Sequence, residues 1–239
     1  MVIHFTQYML NPINYNKIFV VIPAYNEQDK LHTVVSELLA LNYSVVIVDD
    51  GSKQPLKKSL NISAAYLLTH KINLGQGAAL QTGVEFACSK GAEYIVTFDA
   101  DGQHRAADID ILVNKLFESG SDVALGSRFI EGSAHNMSFV RKWLIQIARF
   151  INFIFTGLLL SDAHNGLRAM TAKAAQKIKL SENRMAHATE FLSIIKSKKL
   201  KHTEVPVQIT YSDYSRAKGQ SAWDSFRIFF DILLNKIFK

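Results

Sequence analysis

With 239 residues, 48% of them hydrophobic, the chain has material for one large domain, or a domain with an appendage, and needs no covalent staple. A formal charge of +6 and a pI of about 9.3 favour anionic partners, but the basic residues are scattered and no nucleic-acid-binding module signature is present, so nucleic acid ranks last. Cys88 is the only cysteine, which excludes an intramolecular disulfide, and the N-terminus lacks the basic flank and long apolar core of a secretory signal; both points favour a cytoplasmic location.

In chain order, residues 1–16 show no period and are expected to form an arm. Residues 17–22 are an apolar run ended by Pro23 and read as a buried strand. Leu31, Val34, Val35, Leu38 and Leu39 recur at helical spacing, so an amphipathic helix begins near Glu27. A second strand, 44–48, ends in Asp49-Asp50-Gly51-Ser52. A third, 65–68, precedes a helix over 76–89 entered through Asn73-Leu74-Gly75-Gln76-Gly77. A dinucleotide fingerprint is excluded there, because its third glycine would fall at Leu80; the glycines instead suit a backbone passing close to a neighbouring loop or ligand.

The most informative stretch is 95–104, IVTFDADGQH, a strand delivering two carboxylates to its tip. Alternate residues of an extended segment point the same way, so Asp99 and Asp101 can share a hard cation, with Gln103 adding a neutral oxygen. The competing reading is a surface turn capping the next helix. A fifth strand, 122–125, ends in Gly126-Ser127-Arg128. Strand then helix, four times over, is the pattern of a parallel doubly wound sheet, in which the residues after Ile22, Val48, Phe98 and Leu125 lie on one edge.

Residues 143–160 are strongly apolar, but Gln146, Arg149 and Asn152 interrupt them. They suit a helix in a bilayer interface, or one buried in an accessory subregion, better than a spanning helix. The polar loop from Asp162 to Arg168 follows, in which His164 has no companion at zinc-site spacing. Residues 172–178 and 187–197 read as helices and 203–209 as a strand. The lysines at 196, 198, 199 and 201 read as a solvated helix end. Residues 211–221 hold Arg216, Lys218 and Gly219 and form either a lid or a linker. Residues 222–239 place Trp223, Phe226, Phe230, Leu233 and Ile237 on one helical face, which suits a membrane interface, a partner protein or packing back on the domain.

Taken together, Pro23-Ala-Tyr-Asn-Glu27, Asp49-Asp-Gly-Ser52, Asn73-Leu-Gly-Gln-Gly-Ala78, Asp99-Ala-Asp-Gly-Gln-His104 and Gly126-Ser-Arg128 resemble family 2 glycosyltransferases of the GT-A fold. The best match is the branch of dolichyl-phosphate mannose synthases and related polyprenyl-phosphate sugar transferases. The resemblance implies an α/β fold of GT-A type, Rossmann-like and mostly parallel. It also implies a donor half over 17–128, an acceptor half over 129–221 and an amphipathic helix over 222–239.

The implied donor is a UDP- or GDP-sugar, the cofactor Mg²⁺ or Mn²⁺, and the reaction an inverting transfer to a polyprenyl-phosphate, lipid-linked or polysaccharide acceptor in cell-surface glycan synthesis. Pro23, Ala24, Tyr25, Glu27, Val48 and Asp50 match positions that hold base and ribose. Asp99, Ala100, Asp101 and Gln103 match the metal and diphosphate positions, and Arg128 the arginine of Gly-Ser-Arg. Asp162 and Gly166 match the acceptor loop. Arg216, Gly219 and Ser221 match a loop over the diphosphate, where Lys218 adds charge. Asn165 stands where serine is usual, Arg105-Ala106 replaces two prolines, and His70 replaces a more basic residue.

A phosphate acceptor is already anionic and needs no strong base, whereas a sugar hydroxyl needs one, for which Asp162 is the candidate. The expected location is the cytoplasmic face of a membrane, held through 222–239 by lipid or by a membrane protein. The alternative is a noncatalytic transferase-like module that recruits a membrane partner.

Overall fold

A computed structural model describes residues 13–56, 64–130, 139–163, 165–184 and 186–209. The chain divides after Ile209, and the second unit lies outside the described residues, as do His164, Arg216, Lys218, the helix expected over 222–239 and most of the N-terminal arm.

A seven-stranded sheet organises the described part, in the order β3-β2-β1-β4-β6-β5-β7. Strand β1 (Ile18–Ala24) pairs in parallel with β2 (Ser44–Asp49) and β4 (Tyr94–Thr97), and β2 with β3 (Tyr66–Thr69). All seven residues of β1 are buried, as its unbroken apolar run requires of a central parallel strand. Pro23 lies inside this strand rather than ending it. It lacks a donor, but pairing continues through carbonyls, with the Asp50 N–H donating to Ala24 O at 2.9 Å.

The sheet is mostly parallel, as expected, and its one antiparallel strand among the described residues is β6 (Arg168–Thr171), which runs between β4 and β5 (Val123–Ser127). The sequence puts Arg168 at the end of a polar loop and assigns residues 169–171 to no element, because four residues are too few to display a period. Beyond β5, β7 (His202–Pro206) restores parallel pairing. The end of β5 therefore stands one strand away from β4 rather than beside it.

Helices cover both faces. On one, α1 (Gln28–Ala40) buries Leu31, Val34, Val35 and Leu38, the inward stripe expected from their spacing. On the same face α3 (Ala107–Ser119) packs on β5, β6 and β7 and buries Ile109, Leu112, Val113 and Leu116 in the core that also holds Ile18, Val20 and Ile22 of β1. The opposite face packs Phe19 and Val21 against α2 (Gln76–Ser89), and the same core takes in Ala174 and Ala175 of α5 (Ala172–Lys177) and Phe191, Leu192 and Ile195 of α6 (His187–Ser197). Each fully buried aliphatic side chain contributes about 1.5–3 kcal/mol, so the two cores fix the sheet and with it the edge where the polar strand ends gather. Helix α4 (Phe139–Thr156) packs on α6, and among the described residues no helix is long and apolar enough to cross a membrane.

Candidate active site

At the C-terminal edge of the sheet, the ends of β1, β2 and β4 surround an open cleft of about 570 Å³, within the range of small-molecule sites. Pro23, Ala24, Tyr25 and Glu27 line it from the end of β1, Asp50 from the end of β2, and Asp99, Ala100 and Asp101 from the loop after β4. These residues, dispersed over almost eighty positions of sequence, are brought together because β1 lies between β2 and β4. Tyr25 is 43% exposed, so its ring is available to cover a flat ligand.

The two aspartates after β2 have different tasks. Asp49 is spent on its own turn, accepting from the Ser52 N–H at 2.9 Å and the Leu56 N–H at 3.3 Å. Asp50 is held by the loop that precedes α2: Oδ1 accepts from the Leu74 N–H at 3.0 Å and Oδ2 from the Gly75 N–H at 2.7 Å. His70 Nδ1 lies 2.7 Å from Asp50 Oδ1, and its other ring nitrogen is 3.0 Å from Thr82 Oγ1. Asp50 is thus fixed in orientation before any ligand arrives. Gly75 makes this possible with φ +105°, and a Cβ there would sit 2.2 Å from Asn183 O. The neighbouring loop that the glycines admit is therefore 182–184, to which Gly77 also donates its N–H, at 2.8 Å from Asn183 O.

Asp99 is 30% exposed at its side chain and is gripped from two sides. Gln76 Nε2 donates to Oδ1 at 3.0 Å, and His104 Nε2 lies 3.3 Å from Oδ2. Burial would raise its pKa, but the hydrogen bond and charge of His104, with Arg168 and His187 behind it, outweigh burial and hold the carboxyl below its ordinary value. Gly166 completes this setting, since a Cβ on it would lie 2.2 Å from Asp99 Oδ2. Asp101 accepts the Gln103 N–H at 2.9 Å; the Gln103 side chain does not line the cleft.

On the α2 and α6 side, Asp99 and Gln76 also border a smaller enclosed cavity of about 140 Å³, which Arg168 and His187 reach. Arg168 is buried, stacks its guanidinium 4.5 Å from the Phe191 ring centre and donates from Nε to Asn165 O at 3.0 Å. Burial lowers its pKa to about 10, opposed by the charges of Asp99 and Asp162. It stays cationic at neutral pH.

The residues present fit a divalent cation. Among the described residues no three His, Cys, Asp or Glu side chains form a ready-made cage. Two carboxylates at the mouth of an open cleft are nevertheless the donor set that Mg²⁺ or Mn²⁺ uses when substrate phosphates and water complete its shell.

Besides Gln103, three of the predicted site residues lie apart from the cleft. Val48 is fully buried in the core under α2, so its side chain does not line it. Arg128 and Asp162 are paired with each other: Arg128 Nε donates to Oδ2 at 2.6 Å, Nη2 to Oδ1 at 2.9 Å, and the Arg128 N–H to Oδ2 at 3.1 Å. Glu204 of β7 secures this corner by accepting from the Ser161 N–H and hydroxyl at 2.8 and 2.6 Å. Sequence reading missed Arg184, the only cationic side chain lining the cleft among the described residues, along with the grip of Gln76 and His104 on Asp99. Nothing in the spacing around Arg184 signals a site; the loop carrying it is placed by the glycines of α2. Cys88 is half-buried and burial raises its thiol pKa, the opposite of what an activated thiolate requires.

A family model described as glycosyl transferase family 2 matches residues 19–179. An uncharacterised protein of Methanocaldococcus jannaschii is 34% identical over 96% of both chains. The UDP-N-acetylglucosamine–dolichyl-phosphate N-acetylglucosaminyltransferase of Methanococcus voltae is 33% identical over 93% of this chain and 97% of its own. The dolichol-phosphate mannosyltransferase of Pyrococcus furiosus is 30% identical over 89% of this chain and 61% of its own. Among solved structures, mannosyl-3-phosphoglycerate synthase from Rubrobacter xylanophilus superposes with a TM-score of 0.61 at 15% identity, over 99% of this chain and 84% of that one. Glucosyl-3-phosphoglycerate synthase from Mycobacterium tuberculosis, in complex with Mn²⁺, UDP and its product, gives 0.58 at 15% identity, over 82% and 71%. At such identities the superpositions establish the shared fold.

Proposed function

The chain belongs to glycosyl transferase family 2, and from that premise we propose that it transfers a sugar from a nucleoside-diphosphate sugar to a polyprenyl phosphate. The observation that carries this reading is the convergence of Tyr25, Asp50, Asp99, Asp101 and Arg184 on one cleft. Tyr25, Glu27 and Asp50 take the nucleoside, Asp50 pre-oriented by the Leu74 and Gly75 amides. Asp99 and Asp101 hold the cation, Mg²⁺ or Mn²⁺, which supplies Lewis-acid stabilisation to the departing diphosphate. Arg184 adds positive charge at the cleft, and the family resemblance of residues 216–221 assigns the same task to Arg216 and Lys218, which lie outside the described residues.

The bond to the diphosphate breaks as an acceptor oxygen bonds the anomeric carbon from the opposite face. A phosphate oxygen is already ionised, so this step needs no protein base. Asp162 then serves to aim Arg128, whose guanidinium it holds in a two-pronged pair, rather than to take a proton. The acceptor class follows the names of the Methanococcus voltae and Pyrococcus furiosus relatives, and the first donor to try is UDP-N-acetylglucosamine.

The test is transfer from UDP- and GDP-sugars to a short polyprenyl phosphate, with Mg²⁺, with Mn²⁺ and with EDTA. Chelation should abolish turnover. Asp101→Ala should lower it on the order of a hundredfold or more without moving the melting midpoint. Full turnover in EDTA, or in the variant, sinks the assignment of the two carboxylates.

A further inference from the structure

Helix α4 turns an apolar stripe outward. Of its described side chains, the two that are buried are polar, Asn152 and Thr156, while Trp143, Ile147, Phe150, Phe153 and Ile154 are exposed, at 60%, 38%, 60%, 42% and 62%. Trp143, Ile147, Phe150 and Ile154 follow the i, i+4, i+7, i+11 spacing that places them in one stripe. Thr156 is satisfied locally, whereas Asn152 Oδ1 is buried with no hydrogen-bond partner among the described residues. Thr156 Oγ1 donates to Asn152 O at 2.8 Å and accepts from the Leu158 N–H at 3.2 Å. Just past the helix, Leu159 continues the apolar surface at 65% exposure. Gln146 is exposed and Arg149 half-buried on the same helix, but an apolar stripe of this size is not what a helix facing water carries.

Positive charge rims one end of the stripe. The Lys196 side chain runs across Gly157, where a Cβ would lie 3.3 Å from its Cε, and Lys198 and Lys199 follow it, all three exposed. We propose that this outward face of α4, with the lysines at the end of α6, docks on the headgroup region of an anionic lipid bilayer. Tryptophan and phenylalanine seat in such an interface, and lysines reach the phosphates above it while their stems cover apolar surface. The charge rim argues for lipid over a neutral apolar partner. The proposal rests on the lipid-acceptor reading above only in that it brings the enzyme to where such an acceptor resides. It places the membrane contact on the described domain, in addition to anything contributed by residues 222–239.

The experiment is cosedimentation of the full chain with vesicles of phosphatidylcholine alone or with one third phosphatidylglycerol. Binding should be at least about tenfold tighter to the anionic vesicles and weaken with salt. Trp143→Glu with Phe150→Glu should lower binding to both compositions by about tenfold or more. Lys198→Glu with Lys199→Glu should remove the anionic preference. Both variants should keep the wild-type melting midpoint and transfer to a short, water-soluble polyprenyl phosphate. Wild-type sedimentation of both variants overturns the proposal. So does a binding loss accompanied by a lowered melting midpoint, which makes the stripe an internal packing surface, or by a changed oligomeric state, which makes it an interface between copies. If no polyprenyl phosphate accepts sugar while stripe-dependent vesicle binding persists, the acceptor assignment falls and the docking surface stands.

Discussion

Gly166 and His187 show how much of Asp99's chemistry is set by neighbours that carry none of their own. The Gly166 backbone is pressed so closely on the carboxylate that any side chain there must displace it. Gly166→Ala should therefore cost about a hundredfold in transfer, since misplacement by an ångström is enough for that, while thermal unfolding changes little because only the short end of Asp99 has to move. His187 makes a different prediction. Its ring is buried and donates from Nδ1 to Arg184 O at 2.7 Å. Burial lowers its pKa, against the opposing pull of that hydrogen bond, so the folded ring resists protonation. The unfolded chain then binds the proton at the higher pH. Stability associated with the neutral ring is whole above an unfolded pKa of about 6.5 and drains away as pH falls from there through the folded value. The melting midpoint should drop as pH falls below about 6.5, and His187→Asn should flatten that drop. An unchanged slope in the variant would assign it to other groups.

Among elements, α1, α2 and α6 were legible in advance, α3 was not singled out despite its apolar stripe, and those that answer to a neighbour were not legible. Helices α2 and α6 occupy the spans read from the sequence, because their ends coincide with changes of composition. Strand β6 escaped notice: four residues cannot display alternation, and its place between β4 and β5 is a matter of partners. Contact between elements also explains Tyr43, which follows α1 and donates its hydroxyl to Asp110 of α3 at 2.6 Å. Burial and that bond push the phenol well above its ordinary value, so it remains a donor throughout the physiological range. Tyr43→Phe should lower stability by about 1–2 kcal/mol. In a chain of this length that is about 2–4 °C of melting midpoint for each kcal/mol, measurable by calorimetry.

For the molecule as a whole, the sequence by itself determined the alternation of strands and helices, the acidic ends of β2 and β4, the glycine loop before α2 and, through five motifs in register, the family. These features survive in one dimension because each is local: a burial period, a turn residue or a pair of carboxylates on alternate positions. Tertiary structure alone decided which distant groups meet. It inserted β6 into the sheet and so moved the end of β5 one strand away from β4. It paired Arg128 with Asp162, turning two candidate site residues into one fixed unit, and it brought Arg184 to the cleft through a loop admitted by Gly75 and Gly77. It also turned Asn152 and Thr156 of α4 inward and left Trp143 and Phe150 exposed, where periodicity records only that two sides differ. The physical reason is common to all four: a side chain's period along its own element fixes which way it points, while the charge, carbonyl or solvent it meets belongs to chain far away in sequence and is set only when the sheet closes on its cores.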